Sequence, residues 1–441
     1  MDFYDTRTIR SYSMSILLDN GEIREISNNF SSGAAVRFLD GGSWGFVSLD
    51  DKDALDGALI SARKLAGAAR KKFPREKITL APVEKPHLKD LPEVRESPDD
   101  ISIEDKVKLL IEIEKSARID GISSTNAVYS ESRVTVGYSS SEGLDCEYTL
   151  NRIGFAISAI AQSGENYQIG RESRFGIMGF EIFKKHDAFE LARKAGNTAV
   201  ELLSAKTPKA GSYAVILDQE LAGVFIHEAV GHAVEADHVI EGNSILGGKI
   251  GRQIAAPCIT VYDDPSLHEF GYYPFDDEGA ESKKTVLIQD GVLKSFLHSR
   301  ESAGKLGGSS RNARAQGYAR PVIRMSNTFI SPDGAKFEEM LEEIKDGIYL
   351  IGSRGGQVNP GEGVFQFNAE RGFIVKNGEL STSLRDVSLS GNTLEILNNV
   401  VMVGNDLKLN SGRCGKAGQL VPVSDGAPHV MVKSAVVGGA G

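Results

Sequence analysis

The chain has 441 residues, 41% hydrophobic and 25% charged side chains, 48 glycines and a formal net charge of −10. That length favours two or three domains, the glycines point to many tight turns between short strands, and the acidic balance argues against a nucleic-acid partner, which needs a dense basic surface. Three widely spaced cysteines, an N-terminus without an apolar leader and no run of about 18 apolar residues lead us to expect a reducing, cytoplasmic setting and no membrane span.

In chain order, apolar and polar residues alternate through 12–27 around Asp19-Asn20-Gly21, whose residue types suit a hairpin turn. A second strand pair over 34–49 turns at Gly41-Gly42. A helix follows, with Asp51 as expected N-cap and Leu55, Leu59, Ala62 and Leu65 at helical spacing. Residues 73–100 carry five prolines, Pro74, Pro82, Pro86, Pro92 and Pro98, and read as an extended surface linker. Asp100 or Ser102 starts the next helix, alternating stretches follow, and a helix over roughly 187–205 closes the segment. Strands plus a closing helix thus occur twice, without a residue-level match that would establish a duplication.

Beyond Pro208 the texture changes to strands and glycine turns, as in "TVLIQDGVLKSF" and "FIVKNGELS". The fold class expected is α+β: an N-terminal α+β domain and a C-terminal, mainly antiparallel β domain carrying a buried metal-binding helix. The parts divide as 1–72 (strands, then helix), 73–100 (linker), 101–206 (second α+β part) and 207–441 (C-terminal domain).

Within that last part, "QELAGVFIHEAVGHAVEAD" follows Asp218, a natural N-cap, and its apolar residues cover nearly every side, so His227, Glu228 and His232 should be embedded in a core. Lone histidines usually satisfy a backbone carbonyl. Three ionisable groups together in apolar surroundings need compensation, and composition alone would produce His-Glu-x-x-x-His only about 0.01 times. The spacing is the difficulty. In a regular α-helix an i, i+5 pair lies about 140° apart around the axis, against about 40° for i, i+4. One π turn, with about 4.4 residues, brings the pair back to about 50°. The expected local structure is therefore a bulged helix at Val230–Gly231, with Gly231 easing the distortion.

Two histidines leave a zinc-like ion short of ligands, since catalytic zinc takes three and a water. Glu235, Asp237 and His238 are near in sequence, while Cys258 and Cys414 are distant. Cys258 sits in an apolar run and reads as core; Cys414 lies between glycines, as if presented by a turn. Spacing leaves His238 and Cys414 as competitors.

"HEAVGHAVEAD", the later "GRCGKAGQLVPV" and the closing "VVGGAG" together resemble the TldD branch of the TldD/PmbA proteins, in a layout that covers essentially the whole chain. The resemblance implies a cytoplasmic zinc-dependent (Zn2+) metallopeptidase acting on unfolded or flexible peptides. It implies His227, His232 and Cys414 as metal ligands and Glu228 as catalytic carboxylate. It also implies a dimer, either a homodimer or a heterodimer with a PmbA/TldE-like subunit. The competing reading is a non-catalytic binding or scaffold subunit whose metal is structural or absent; an intact Glu228 speaks against it.

Four other stretches carry weaker signals. The run 304–327, with Arg311, Arg314, Arg320 and Arg324 among glycines and serines, reads either as a mobile substrate-gripping loop or as a solvated supporting one. Residues 269–284 combine aromatics and carboxylates and read as an exposed loop. "GNSILGGK" mimics a phosphate-binding loop, but its spacing is one too long and Ile250 replaces the Ser or Thr that would bind Mg²⁺. Residues 352–372 read as turns connecting short strands.

Overall fold

The structure, a computed structural model, describes residues 3–50, 54–88 and 91–439. Its first sheet has six antiparallel strands: Phe3–Asp19, Glu22–Asp40, Ser43–Leu49, Ile122–Ser140, Asp145–Ser163 and Asn166–Gly176. The first of them lies between the second and the fourth. Asn20 and Gly21, with φ of 54° and 78°, make the expected hairpin turn. Strands of 17 and 19 residues reach about 60 Å at roughly 3.3 Å per residue. They stay ordered because alternate side chains, among them Met14, Ile16, Leu18, Tyr129 and Phe155, are buried beneath the helices Ile103–Ser116 and Ala188–Ser204. Ser102 and Asp187 start those helices by accepting the Asp105 and Glu190 N–H groups.

The helix Leu55–Lys72 packs Leu55, Leu59 and Ala62 as expected but not Leu65. It buries Ala58, Ala62 and Ala66 against Val36 and Phe38, while Leu65 is 51% exposed. The cause is a close backbone approach: a Cβ on Gly45 would stand 1.9 Å from the Ala62 carbonyl oxygen, so alanines line the contact, with Leu55 and Leu59 packed at its edge. Asp51, the expected cap, lies outside the described residues. The described part of 74–97 holds neither helix nor strand, as its prolines require. It is tied down by Ala81, which exchanges hydrogen bonds with the Arg300 carbonyl and guanidinium at 2.9 and 2.8 Å.

From Gly211 onward two large sheets form, besides the short pair Ala313–Arg314 and Val322–Ile323. In one, the strands Gly211–Leu217, Gly347–Asn359, Val364–Lys376, Val387–Asn392 and Val430–Gly439 each pair with two of the others, so the sheet closes on itself. The other runs Val292–Leu293, Thr285–Gln289, Val261–Asp263, Asn327–Ile330, Gln419–Ala427, Lys408–Lys416. Two pairings, 327–330 with 419–427 and 347–359 with 211–217, are parallel and the rest antiparallel, so the α+β architecture has the mainly antiparallel C-terminal part expected. The helix Gln219–Ile226 packs against strands of both sheets. Its Phe225 meets Phe365 at 5.3 Å and Phe367 at 6.3 Å, each ring contributing about 1.5–3 kcal/mol by burial.

Three loop readings change. Residues 269–284 are not an exposed loop: Phe270, Tyr272, Tyr273 and Phe275 are buried, with Tyr148 stacked edge-on to Phe275 at 4.8 Å. The buried Asp276 and Glu278 can follow the rings inside because they find donors; Asp276 accepts the Glu278, Ala280 and Ala313 N–H groups and Glu278 those of Arg37 and Arg300. The run 304–327 is only partly solvated: 304–309 are exposed, but Arg314 and Arg324 are buried and donate to backbone carbonyls. Residues 352–372 belong to two paired strands of 13 residues rather than to turns between short ones. No helix among the described residues is long and apolar enough to cross a membrane.

Candidate metal centre

Asp218 begins the site. Its carboxylate accepts the Leu221 N–H at 2.9 Å, which starts the helix Gln219–Ile226 directly after the strand Gly211–Leu217. Gly223 then brings the helix onto the strand Gln419–Ala427, since a Cβ there would stand 2.9 Å from Gly426 Cα. Over His227–Gly231 the helix widens into a π turn in which the His232 N–H donates to the His227 carbonyl at 3.3 Å. The i, i+5 spacing required this distortion. Its result is that the two imidazoles converge, with centroids 5.5 Å apart and planes at 87°.

Gly231 meets a steric constraint besides the backbone freedom expected of it. Its φ is outside the left-handed region, but a Cβ on it would stand 1.8 Å from Met325 Sδ. Cys414 is placed differently from expected: it lies in the strand Lys408–Lys416 opposite Val421, and the turn falls later, at Ala417 and Gly418. The thiol still reaches the histidines. Cys414 Sγ is 3.6 Å from His232 Nε2, and one ligand atom from each of His227, His232 and Cys414 lies within 4.8 Å of the others. His238 instead groups with Glu235 and Asp237, and Cys258 packs at the edge of the apolar core.

Glu228 is less embedded than its neighbours. Its side chain is 29% exposed and its Oε2 approaches His232 Nε2 at 3.7 Å, whereas His227 is 4% exposed. Among the described residues the Glu228 carboxylate accepts no hydrogen bond, which leaves it open to solvent or substrate.

The electrostatics favour a thiolate. Burial pushes the Cys414 thiol up, but hydrogen bonding to His227 and His232 and their positive charge bring it down to about 5. Burial also opposes charge on His232, yet Glu235 and Cys414 hold it well above the ordinary imidazole value. His227 is likewise opposed by burial, but raised by Cys414. Burial pushes Glu235 up, and His232 and Lys416 overrule it and hold the carboxyl low. Two imidazoles and a thiolate converge while the buried His227 Nδ1 has no hydrogen-bond partner; this donor set fits a zinc-like ion.

Several supporting residues escaped the sequence reading. Arg324, fully buried, donates to the Cys414 carbonyl and, at 3.3 Å, to that of Gln419, so it holds the hairpin that presents the thiol. Lys416, two residues beyond Cys414 on the same strand face, reaches Glu235 Oε2 at 3.0 Å. Strand alternation was a usable signal for Lys416; Arg324 offered none beyond its arginine-rich surroundings.

Comparison with known proteins assigns the kinship. Residues 4–66, 96–203 and 210–439 match the families described as PmbA/TldA metallopeptidase domain 1, central domain and C-terminal domain. A protein of Archaeoglobus fulgidus named "Metalloprotease" is 44% identical over 440 residues, covering 100% of both chains. One of Saccharolobus solfataricus, named "Zinc metalloprotease TldD homolog", is 36% identical over 306 residues, 68% of each chain. The solved structure of TldE from Thermococcus kodakarensis shares the fold, with a TM-score of 0.80 at 19% identity, covering 99% of this chain and 97% of that one. With the family's three domains matched in order and a relative of this identity along the entire length, the chain belongs to the PmbA/TldD metallopeptidase family.

Proposed function

We propose that this protein is a zinc-dependent metallopeptidase of the His-Glu-x-x-x-His type, with His227, His232 and Cys414 holding the ion and Glu228 as its general base and acid. The observation that carries the reading is the π turn at His227–Gly231, which brings both imidazoles to the thiol of a residue 182 positions from His232. A purely structural helix gains nothing from that distortion. The name of the Saccharolobus relative supports zinc.

When bound, zinc supplies a Lewis acid that polarises a peptide carbonyl and lowers the pKa of water. The chain's residues do the rest. His227 and His232 offer neutral nitrogens once their protons are released, and Cys414 offers a sulfur already inclined to ionise. Glu228, partly exposed and without a donor among the described residues, takes a proton from the attacking water at its carboxylate and returns it to the departing amine nitrogen. The substrates proposed are unfolded or flexible peptides in the cytoplasm. The dimer, with an identical chain or a PmbA/TldE-like subunit, is proposed on family membership.

The test compares metal content and hydrolysis of an unstructured peptide by wild type, Glu228→Gln and Cys414→Ser. Glu228→Gln should keep its metal and lose at least about 100-fold in rate, while Cys414→Ser should lose the metal. Undiminished hydrolysis by Glu228→Gln would end the assignment of Glu228. Full zinc retention and hydrolysis in Cys414→Ser, combined with metal loss in His238→Ala, would transfer the third-ligand role to His238.

A further inference from the structure

Glu235 lies three residues beyond His232 and is fully buried. Its Oε2 is 3.1 Å from His232 Nδ1, while the opposite nitrogen of the same ring, Nε2, faces Cys414 Sγ at 3.6 Å. Buried carboxylates are costly unless something demands them. The proposed reaction makes no use of this one.

Its surroundings argue against the obvious alternative, a second metal. Glu235, Asp237 and His238 have the spacing of a cation site. The position is filled by the ammonium of Lys416, which lies 3.0 Å from Glu235 Oε2, 2.9 Å from Asp237 Oδ1 and 3.1 Å from the Ile323 carbonyl. An ammonium has three N–H donors, and these partners account for all of them. One strand face therefore delivers both the thiol of Cys414 and the cation of Lys416, and one stretch of helix and turn delivers both His232 and Glu235.

We propose that Glu235 is the positioning residue that sets the tautomer of His232, with Lys416 as its fixed counter-charge. The ionised carboxylate accepts a proton held on Nδ1, so the lone pair must reside on Nε2, the nitrogen turned toward Cys414. Lys416 anchors Glu235 through the same oxygen, Oε2, that faces the imidazole, and its remaining donors go to Asp237 and the Ile323 carbonyl. The inference rests on the metallopeptidase reading above. It adds a residue that acts through His232 and touches neither ion nor peptide.

The experiment measures cobalt(II) affinity by chelator competition, with the visible spectrum of the bound cobalt, for wild type, Glu235→Gln, Glu235→Asp and Cys414→Ser. A glutamine amide can turn its N–H toward Nδ1 and favour the wrong tautomer. Glu235→Gln should therefore bind cobalt about 10–100-fold more weakly and alter its spectrum, while the metal-free protein melts as wild type does. Glu235→Asp, which keeps the charge, should recover part of the affinity. Unchanged affinity and spectrum in Glu235→Gln would overturn the proposal. Should that variant not fold, cadmium-113 NMR of wild type decides: coupling to Nε2 of His232 with a protected Nδ1–H supports the assignment, and coupling to Nδ1 overturns it. If Cys414→Ser binds cobalt as tightly as wild type, Cys414 is not the third ligand and this inference, argued from Nε2 facing that thiol, falls with it; if only Glu235→Gln is silent, the centre stands and Glu235 has no positioning role.

Discussion

His298 is 3% exposed, its Nδ1 lies 3.1 Å from the Ser302 hydroxyl, and its carbonyl accepts the Arg311 and Asn312 N–H groups. Burial lowers its pKa from 6.5 to about 4. The unfolded chain takes up a proton as pH falls below about 6.5, whereas the folded chain resists until about 4. The stability due to neutral His298 is thus complete above the unfolded value and lost as pH falls through the folded one, a difference of about 2–3 kcal/mol. His298→Gln should flatten this limb in urea titrations between about pH 7 and pH 4.5. Parallel slopes in variant and wild type would refute the role. Single residues such as this one were mostly illegible in advance: the sequence marks a histidine, but its burial depends on the segment folded over it.

The π turn is the element in which sequence and structure agree most closely. An i, i+5 histidine pair that must face one point allows few backbone solutions, so the spacing itself predicted the bulge now found at His227–Gly231. What spacing did not disclose is why glycine stands at 231. Met325 packs against that position, and a methyl group would meet its sulfur at 1.8 Å. Gly231→Ala should cost about 1–3 kcal/mol through overpacking and weaken metal binding by splaying the imidazoles. Adding Met325→Ala should restore much of both, as read by melting temperature and zinc content. No recovery in the double variant would show that backbone freedom, rather than the contact with Met325, selects the glycine. The helix Leu55–Lys72 teaches the converse at one position, because helical periodicity placed Leu55, Leu59 and Ala62 on the packed side but also Leu65, which is exposed. Small residues face inward there since Gly45 lets the backbone come close, a contact that no local pattern contains.

At the scale of the molecule, the long N-terminal sheet is joined to the part that holds the candidate metal centre through buried charge. Arg37 donates to Asp5 at 3.0 Å within its own sheet and to Glu278 at 2.8 Å across the junction. Glu278 also accepts the Arg300 N–H at 2.6 Å, and Arg7 pairs with Asp277 at 3.1 Å. The Arg37, Asp5 and Glu278 side chains are between 4 and 8% exposed, so removing one partner strands the others away from water. Arg37→Met should destabilise the protein by about 3–5 kcal/mol and split its thermal unfolding into two calorimetric transitions. Glu278→Gln in the same chain should recover part of the loss. A single unshifted transition would show that the junction is held by other contacts.

The sequence by itself determined the local features: the hairpin at Asn20-Gly21, the capped helices, the α+β class with its mainly antiparallel C-terminal part, and the need for a distorted helix at the histidines. Each follows from periodicity, turn chemistry or ring geometry within a few residues. Only the tertiary structure decided that 269–284 is a buried wedge, that Arg314 and Arg324 are internal braces, and that Cys414 meets His232 beside the Glu235–Lys416 pair. Those outcomes depend on contacts between residues far apart in the chain. Their energies come from burial and charge pairing that exist only after the sheets have closed around the helix.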